Sequence, residues 1–192
     1  MAIKLSILIC SIPKRESLLF KLYSKLMTQI TPEIQVCIST DNKTVSVGVK
    51  RQNLLCSAIG DYICFIDDDD DIPDYYIEEI LKALEAGPDC VGFKIHCDMN
   101  GKTQMAVGSL KYKEWADNFD GFDYVRSPYH KNPVKRELAL QTGFLDMRYA
   151  EDHDYSKRLL PLLSSEVFID KIMYHYKYRP EPHNDKYGID AS

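Results

Sequence analysis

Five consecutive aspartates, residues 67–71, follow directly on the apolar run at residues 62–66. An apolar run without polar alternation is typical of a strand that is buried on both faces of a parallel sheet. Ligands of open α/β sheets bind outside the carboxyl ends of such strands. Crowded carboxylates repel one another, and a Mg²⁺ or Mn²⁺ ion relieves that repulsion while it carries substrate phosphates. The junction therefore predicts a divalent metal that holds a nucleotide diphosphate at a strand tip.

A second acidic group, Glu151 and Asp152, stands much later in the chain, at the start of a predicted helix. The helix macrodipole favours negative charge at this end, so capping alone explains the pair. A carboxylate in a site can also act as a general base for a hydroxyl nucleophile. The residues by themselves leave both interpretations open.

Composition limits the classes of function. The chain has 192 residues and a net charge of −5, which disfavours an electrostatic nucleic-acid surface. No apolar stretch approaches the length of a membrane span, and the N-terminal segment is too short to be a signal peptide. Six cysteines without a C-x-x-C pair are typical of a reduced protein, so we expect a cytoplasmic location, that of a host cell if the source is viral.

The elements that would position these carboxylates alternate between strands and helices. This order predicts an α/β domain with a mainly parallel central sheet flanked by helices. Strands are predicted at residues 5–10, 34–38, 62–66, 91–95 and 167–173, and helices at residues 13–26, 50–58, 74–84, 133–142 and 151–160. We expect one domain over residues 1–192, with halves at residues 1–100 and 101–178 and a polar tail at residues 179–192.

Four segments in this order resemble a family 2 glycosyltransferase of the GT-A (Rossmann-like) fold. They are Gly-Val-Lys-Arg-Gln-Asn at 48–53, Ala-Ile-Gly-Asp-Tyr-Ile-Cys-Phe-Ile-Asp-Asp-Asp-Asp at 58–70, Thr-Gly-Phe-Leu-Asp at 142–146 and Glu-Asp-His-Asp-Tyr at 151–155. The resemblance extends from the first strand to about residue 175. The chain is short for this family, which implies a small acceptor-side lobe. In this it is similar to the compact glycosyltransferase domains of phages and large DNA viruses.

The resemblance implies an inverting, metal-dependent transferase. It would move a hexose from a nucleotide-diphosphate sugar, here expected to be a UDP-sugar, to a hydroxyl of a carbohydrate or other acceptor. The implied cofactor is Mn²⁺ or Mg²⁺. The nucleotide-binding half would be residues 1–100, and residues 101–178 would form the acceptor and catalytic half.

The resemblance also implies roles for individual residues. Asp152 matches the catalytic base and Glu151 its support. Asp69 and Asp67 match the metal-binding D-x-D motif, and His175 matches a late histidine that binds metal in some similar enzymes. The implied nucleotide-sugar contacts are Ser11, Ile12, Pro13, Asp41, Arg51, Asp67 and Asp68.

Two positions depart from the family pattern, and two other features can be explained by structure without any role in function. Ala150 stands where the family usually has glycine, and Gln52 interrupts the usual Arg-Asn pair after Arg51. Residues 130–136 form a basic segment that is explained slightly better as a solvated helix start than as a loop facing the acceptor or pyrophosphate. His175 lies in a Tyr-His-Tyr alternation that a strand explains without any ligand.

Two alternative functions follow from the same residues. A nucleotidyltransferase shares the α/β architecture and the acidic metal site, but it needs a glycine-rich basic loop that residues 11–15 do not provide. A non-catalytic, metal-dependent carbohydrate-binding module needs neither a nucleotide nor Asp152.

Overall fold

The structure is a computed structural model that describes residues 2–179. Apart from Arg179, the predicted polar tail at 179–192 lies outside the described residues. The strands are β1 (Leu5–Ser11), β2 (Ile34–Thr40), β3 (Tyr62–Phe65), β4 (Cys90–Met99), β5 (Lys102–Gly108), β6 (Ala116–Phe119), β7 (Phe122–Arg126), β8 (Val134–Lys135) and β9 (Glu166–Lys177). The helices are α1 (Glu16–Met27), α2 (Val47–Ser57), α3 (Tyr76–Leu84), α4 (Arg136–Thr142) and α5 (Glu151–Leu159).

One sheet joins the strands in the order β2-β1-β3-β8-β4-β5-β7-β6, and β9 pairs with β4. The expected parallel pairing holds where β1 lies between β2 and β3, and again for β4 with β9 and β5 with β7. The remaining pairs are antiparallel, including both pairs made by the short strand β8. The α/β fold class is confirmed, and the sheet is mixed rather than mainly parallel.

Helices cover both faces of the sheet and bury its central strands. On β1, Leu5, Ile7 and Ile9 pack in the same core as α1 and α3, whereas Leu8 packs with α2, α4 and α5 on the other face. This two-sided burial is the reason that β1 and β3 lack a polar alternation. The strand tips that carry Ser11 and the aspartates are therefore anchored in two cores.

Two helices begin in ways that matter for the site. Ser46 caps α2, and its Oγ accepts a hydrogen bond from Val49 N at 3.1 Å, so this helix begins three residues before the predicted start. Ala150 precedes α5 with φ of 59°, in the left-handed region where the family has glycine. In residues 2–179, no helix is long and apolar enough to cross a membrane.

Candidate active site

A cleft of about 570 Å³ opens at the carboxyl ends of β1 and β3. Its described lining is strongly charged, and basic side chains outnumber acidic ones. The basic residues are Arg15, Lys43, Lys50, Arg51, Arg148, Lys177 and Arg179, and the acidic ones are Asp67, Asp68, Asp69 and Glu151. Such a lining suits an anionic ligand that brings a cation with it.

Asp67 is surrounded by cations at the tip of β3. Arg51 Nη2 lies 3.0 Å from its Oδ1, and Lys131 Nζ lies 2.8 Å from its Oδ2. His130 Nε2 is 3.4 Å from the same Oδ2. Burial disfavours the ionised form, but Lys131, Arg51 and His130 hold the pKa of the Asp67 carboxyl well below its usual value. The charge of Asp67 is therefore balanced by the protein itself.

Lys131 is a buried cation that joins two of the aspartates. Only 5% of this residue is exposed, and its Nζ lies 2.6 Å from Asp70 Oδ2 and 2.8 Å from Asp67 Oδ2. It also donates a hydrogen bond to Tyr174 Oη at 2.9 Å. These two carboxylates raise the pKa of Lys131 well above its usual value in spite of its burial. Asp67 and Asp70 are consequently fixed in place.

Asp68 is held from the side of β1. Its Oδ2 accepts a hydrogen bond from Ser11 Oγ at 2.6 Å, and its Oδ1 pairs with Arg15 at 3.0 Å. Asp71 pairs instead with Lys25 and Lys177 and does not belong to the described lining of the cleft.

Asp69 is poorly compensated, because burial and the neighbouring carboxylates outweigh its pairing with Arg15. Burial, together with the charges of Asp67, Asp70 and Asp68, raises the pKa of the Asp69 carboxyl to about 6. Arg15, at 3.1 Å, opposes this shift only in part. The side chain lines the cleft and is 15% exposed. Asp69 is thus the aspartate of the run that would gain most from a bound cation.

The N-terminal half of α2 supplies a further buried cation, Lys50, next to Arg51. Lys50 Nζ donates to the carbonyl oxygen of Ser11 at 2.7 Å and forms an ion pair with Asp41. Asp41 also accepts hydrogen bonds from Thr44 Oγ1 and Val45 N. Burial works against ionisation, but these bonds lower the pKa of the Asp41 carboxyl to about 2. Asp41 therefore remains an anion beside the cleft.

Arg51 connects the late acidic pair, Glu151 and Asp152, to the aspartate run by ion pairs with Glu151 and Asp67. Arg51 Nε lies 3.2 Å from Glu151 Oε1, while its Nη2 pairs with Asp67. Glu151 is buried and lines the cleft. Asp152 follows on α5 with its side chain 30% exposed, and its Oδ1 accepts a hydrogen bond from His153 N. The two acidic motifs predicted from sequence thus lie at one place.

The structure brings most of the predicted site residues to the cleft. Those in its lining are Ser11, Ile12, Arg51, Asp67, Asp68, Asp69 and Glu151. Asp41 borders it through Lys50, and Asp152 lies one residue beyond Glu151. Pro13 is exposed and begins a short 3₁₀ turn, and it is not part of the described lining.

His175 does not reach the cleft in the described structure. Its ring packs against His96 of β4, with a centroid distance of 5.6 Å. Its neighbours on β9 point to the other face, where Tyr174 contacts Asp70 and Tyr176 lines the cleft. Because side chains alternate along a strand, His175 lies on the face opposite these two tyrosines.

The sequence analysis missed the buried part of the basic segment that contacts the aspartates. His130 and Lys131 are buried against Asp67, so this part of the basic segment is not a solvated helix start. One signal was available, because five adjacent carboxylates at a buried strand tip need nearby positive charge. The sequence alone does not indicate which cations provide it.

The donor set suits a divalent cation that shares its coordination with a ligand. Within residues 2–179, no three His, Cys, Asp or Glu side chains converge as a self-contained metal site. A cation that carries phosphates needs only one or two protein carboxylates, and water and phosphate oxygens complete its shell. Asp69 fits this role, because Arg15 balances the charge of its ionised carboxylate only in part.

Comparisons with known proteins identify the family and the fold of the chain. The model of the family described as "Glycosyl transferase family 2" matches residues 24–139. A crystal structure of S. aureus TarS 1-349 in complex with UDP-GlcNAc aligns with a TM-score of 0.72 at 16% identity, over 97% of this chain and 64% of that one. The UDP complex of the same fragment gives 0.69 at 16% identity, over 97% and 63%.

This likeness to solved structures shows the GT-A fold. The chain spans less than two thirds of the length of these TarS fragments and 38% of the S. aureus TarS chain, which aligns with a TM-score of 0.70 at 16% identity over 96% of this chain. No curated protein matches the sequence significantly.

Proposed function

The chain belongs to glycosyl transferase family 2, and on this premise we propose that it transfers a hexose from a UDP-sugar to an acceptor hydroxyl, with inversion at the anomeric carbon. The observation that carries the proposal is Arg51, which joins the strand-tip Asp67 to Glu151 and so sets both acidic motifs around one cleft. The two alternatives, a nucleotidyltransferase and a non-catalytic module, are set aside because the family is one of glycosyltransferases.

The nucleoside would lie along the tips of β1 and β2. Ile12, Val45 and Val47 give this end of the cleft an apolar part that suits a planar base, and Asp41 stands beside it as an anion able to accept a base N–H. Asp67, whose charge is already balanced, can accept a ribose hydroxyl without repelling the diphosphate. A uracil base is supported by the UDP and UDP-GlcNAc complexes of TarS, which has the same fold.

The diphosphate would lie between Asp69 and the basic lining. Asp69 would hold Mn²⁺ or Mg²⁺, and the ion, when bound, would offset negative charge on the departing diphosphate. Of the basic residues, Arg148 and Arg179 donate hydrogen bonds to the backbone carbonyls of Lys43 and Asp69. Their positive charge lies at the cleft and favours a ligand that carries phosphate.

Asp152 would act as the general base. An acceptor hydroxyl becomes an effective nucleophile when a positioned carboxylate removes its proton in the transition state. Asp152 follows Glu151, which lines the cleft, so we propose that the acceptor approaches from the α5 side, opposite the leaving UDP. Attack from that face inverts the anomeric centre. We propose a cytoplasmic location, since cysteines without a paired motif favour a reducing compartment.

A test is UDP release from a panel of UDP-hexoses with saccharide and other hydroxyl acceptors and Mn²⁺. Acceptor-dependent release, with a product of inverted anomeric configuration by NMR, is the expected result. UDP binding without release in any combination would contradict the transferase proposal, and indifference to UDP would favour a binding module.

A further inference from the structure

His130 is a buried imidazole that lies between the aspartate run and the late acidic pair. Only 3% of the residue is exposed, and the rings of Tyr129 and Phe65 pack against it at centroid distances of 5.0 and 6.4 Å. Its Nε2 lies 3.4 Å from Asp67 Oδ2, and its Nδ1 lies 3.8 Å from Asp152 Oδ2. One ring thus spans the distance between the predicted donor site and the predicted base.

The Nδ1 atom is buried and has no hydrogen-bond partner in the described part of the chain. A buried polar atom without a partner costs about 1–3 kcal/mol, so native structures rarely keep one without a use. The carboxylate of Asp152 lies beside it, with Oδ2 at 3.8 Å. The distance of 3.8 Å exceeds a hydrogen bond by about 1 Å, which a small rotation of the half-exposed Asp152 side chain can close.

The protonation of the ring follows from its surroundings. The carboxylate oxygen Asp67 Oδ2, 3.4 Å from Nε2, is an anionic acceptor, so the geometry assigns the ring proton to Nε2. Nδ1 then presents a lone pair to Asp152. A lone pair cannot bond to an ionised carboxylate, but it can accept a hydrogen bond from a protonated one.

We propose that His130 is a positioning residue that accepts a hydrogen bond from Asp152 when this carboxylate takes the acceptor's proton. The inference rests on the proposed function of Asp152. In the step, the acceptor O–H bond breaks and its proton forms an O–H bond on Asp152. The acceptor oxygen bonds the anomeric carbon, and UDP leaves with the electron pair of the broken glycosidic bond. His130 Nδ1 then stabilises the protonated Asp152, which strengthens the base at the moment that it acts.

A matched pair of substitutions distinguishes the contributions of the two ring nitrogens of His130. In His130→Asn, the amide oxygen occupies the place of Nδ1, whereas in His130→Gln the amide group reaches the place of Nε2. We expect His130→Asn to keep kcat within about 3-fold and His130→Gln to lose about 10- to 100-fold, part of what a general base contributes. The KM for the donor and the affinity for UDP should stay within about 2-fold in both variants.

The control is His153, which also lies beside Asp152 but packs against Trp115 at a centroid distance of 4.7 Å. His153→Asn and His153→Gln should give equal kcat values. Equal losses in the two His130 variants would overturn the inference, because the ring would then only fill space. Weakened UDP binding in both would overturn it as well and assign His130 to the donor site.

The tautomer of the wild-type ring gives a test that does not depend on the folding of a variant. Long-range ¹H–¹⁵N correlation of His130 should show a protonated Nε2 and an unprotonated Nδ1. A proton on Nδ1 would overturn the inference and leave the proposed function untouched. Wild-type protein that binds UDP but never releases it from a UDP-sugar would instead overturn the proposed function, and the inference with it.

Discussion

Arg51 donates a hydrogen bond from its Nε to Glu151 Oε1 at 3.2 Å, although the two residues stand 100 positions apart in the chain. Both side chains are buried. The same guanidinium bonds Asp67 through Nη2 at 3.0 Å. This contact fixes the first turn of α5 relative to the tip of β3, and so sets the distance between the donor site and the predicted base.

Substitution of Arg51 by Met should destabilise the fold. It would leave Glu151 as a buried carboxylate without its cation, and removing one partner of a buried pair costs about 3–5 kcal/mol. Urea unfolding measures the change in the free energy of unfolding. The exposed pair of Lys171 and Glu79 provides the control, since Lys171→Met should change stability very little. Equal effects in the two variants would show that the Arg51 contact is not needed for stability.

The variant Asp152→Asn should lose transfer but keep the nucleotide site. Asn is close in size but cannot take a proton, so we expect kcat to fall by about 10²- to 10⁴-fold with UDP affinity unchanged. Acceptor-dependent UDP release and calorimetry measure the two quantities. Asp154→Asn, on the same helix and paired with Arg158, is the control and should keep most activity. Full activity of Asp152→Asn would remove it as the base.

Without metal, Asp69 should make the protein more stable at mildly acidic pH. Its pKa is about 6 in the folded state, against 3.8 for a free aspartate, the value taken for the unfolded chain. The folded state therefore binds the proton first as the pH falls. The contribution of Asp69 to the free energy of unfolding should therefore rise between pH 7 and pH 4, by up to ~3 kcal/mol. Asp69→Asn should remove this rise and be more stable than wild type at pH 7.

The measurement is urea unfolding in EDTA at pH 7, 5.5 and 4. The control is Asp71, whose contribution to the free energy of unfolding changes with pH in the opposite direction. Lys177 and Lys25 lower the pKa of the Asp71 carboxyl to about 2 against its burial, so its stabilisation is present above pH 4 and lost as the pH falls toward 2. Asp71→Asn should therefore be less stable than wild type at pH 7. A wild-type profile that Asp69→Asn leaves unchanged would refute the raised pKa of Asp69.

Ala150→Gly should stabilise the start of α5. Ala150 has φ of 59°, where a Cβ atom costs about 1–2 kcal/mol, and glycine avoids this cost at the expense of a more flexible unfolded chain. We expect a net gain of about 0.5–1 kcal/mol in thermal or urea unfolding. Ala86→Gly is the control, because Ala86 is exposed and is not a positive-φ residue. A loss of stability in Ala150→Gly equal to that in Ala86→Gly would contradict the strain.

Features that depend on residues adjacent in the chain could be predicted from the sequence. The run before Asp67 has no polar alternation because β3 is covered on both faces, and this allowed the strand tip to be recognised. The start of α5 at Glu151 was predicted correctly for a similar local reason, since acidic residues favour a helix N-terminus.

Features set by pairing between distant segments were not predictable in this way. Strand β8 has two residues, too few to show a periodicity, yet it pairs antiparallel between β3 and β4 and makes the sheet mixed. The residues just before β8 bring Lys131 to Asp70, which is 61 residues away in the chain. The face on which His175 lies depends on its pairing with Asp71, which the Tyr-His-Tyr alternation does not reveal.

The most direct test of the account is calorimetric titration of UDP into the wild-type protein and Asp69→Asn, each with Mn²⁺ and then with EDTA. The account predicts micromolar binding to wild type with Mn²⁺, about −8 kcal/mol, that weakens at least about 10-fold in EDTA. Asp69→Asn should bind weakly in both buffers. Wild-type affinity for UDP that is the same in Mn²⁺ and EDTA would contradict metal-dependent binding at Asp69, and no binding of UDP in either buffer would contradict the proposed UDP-sugar donor.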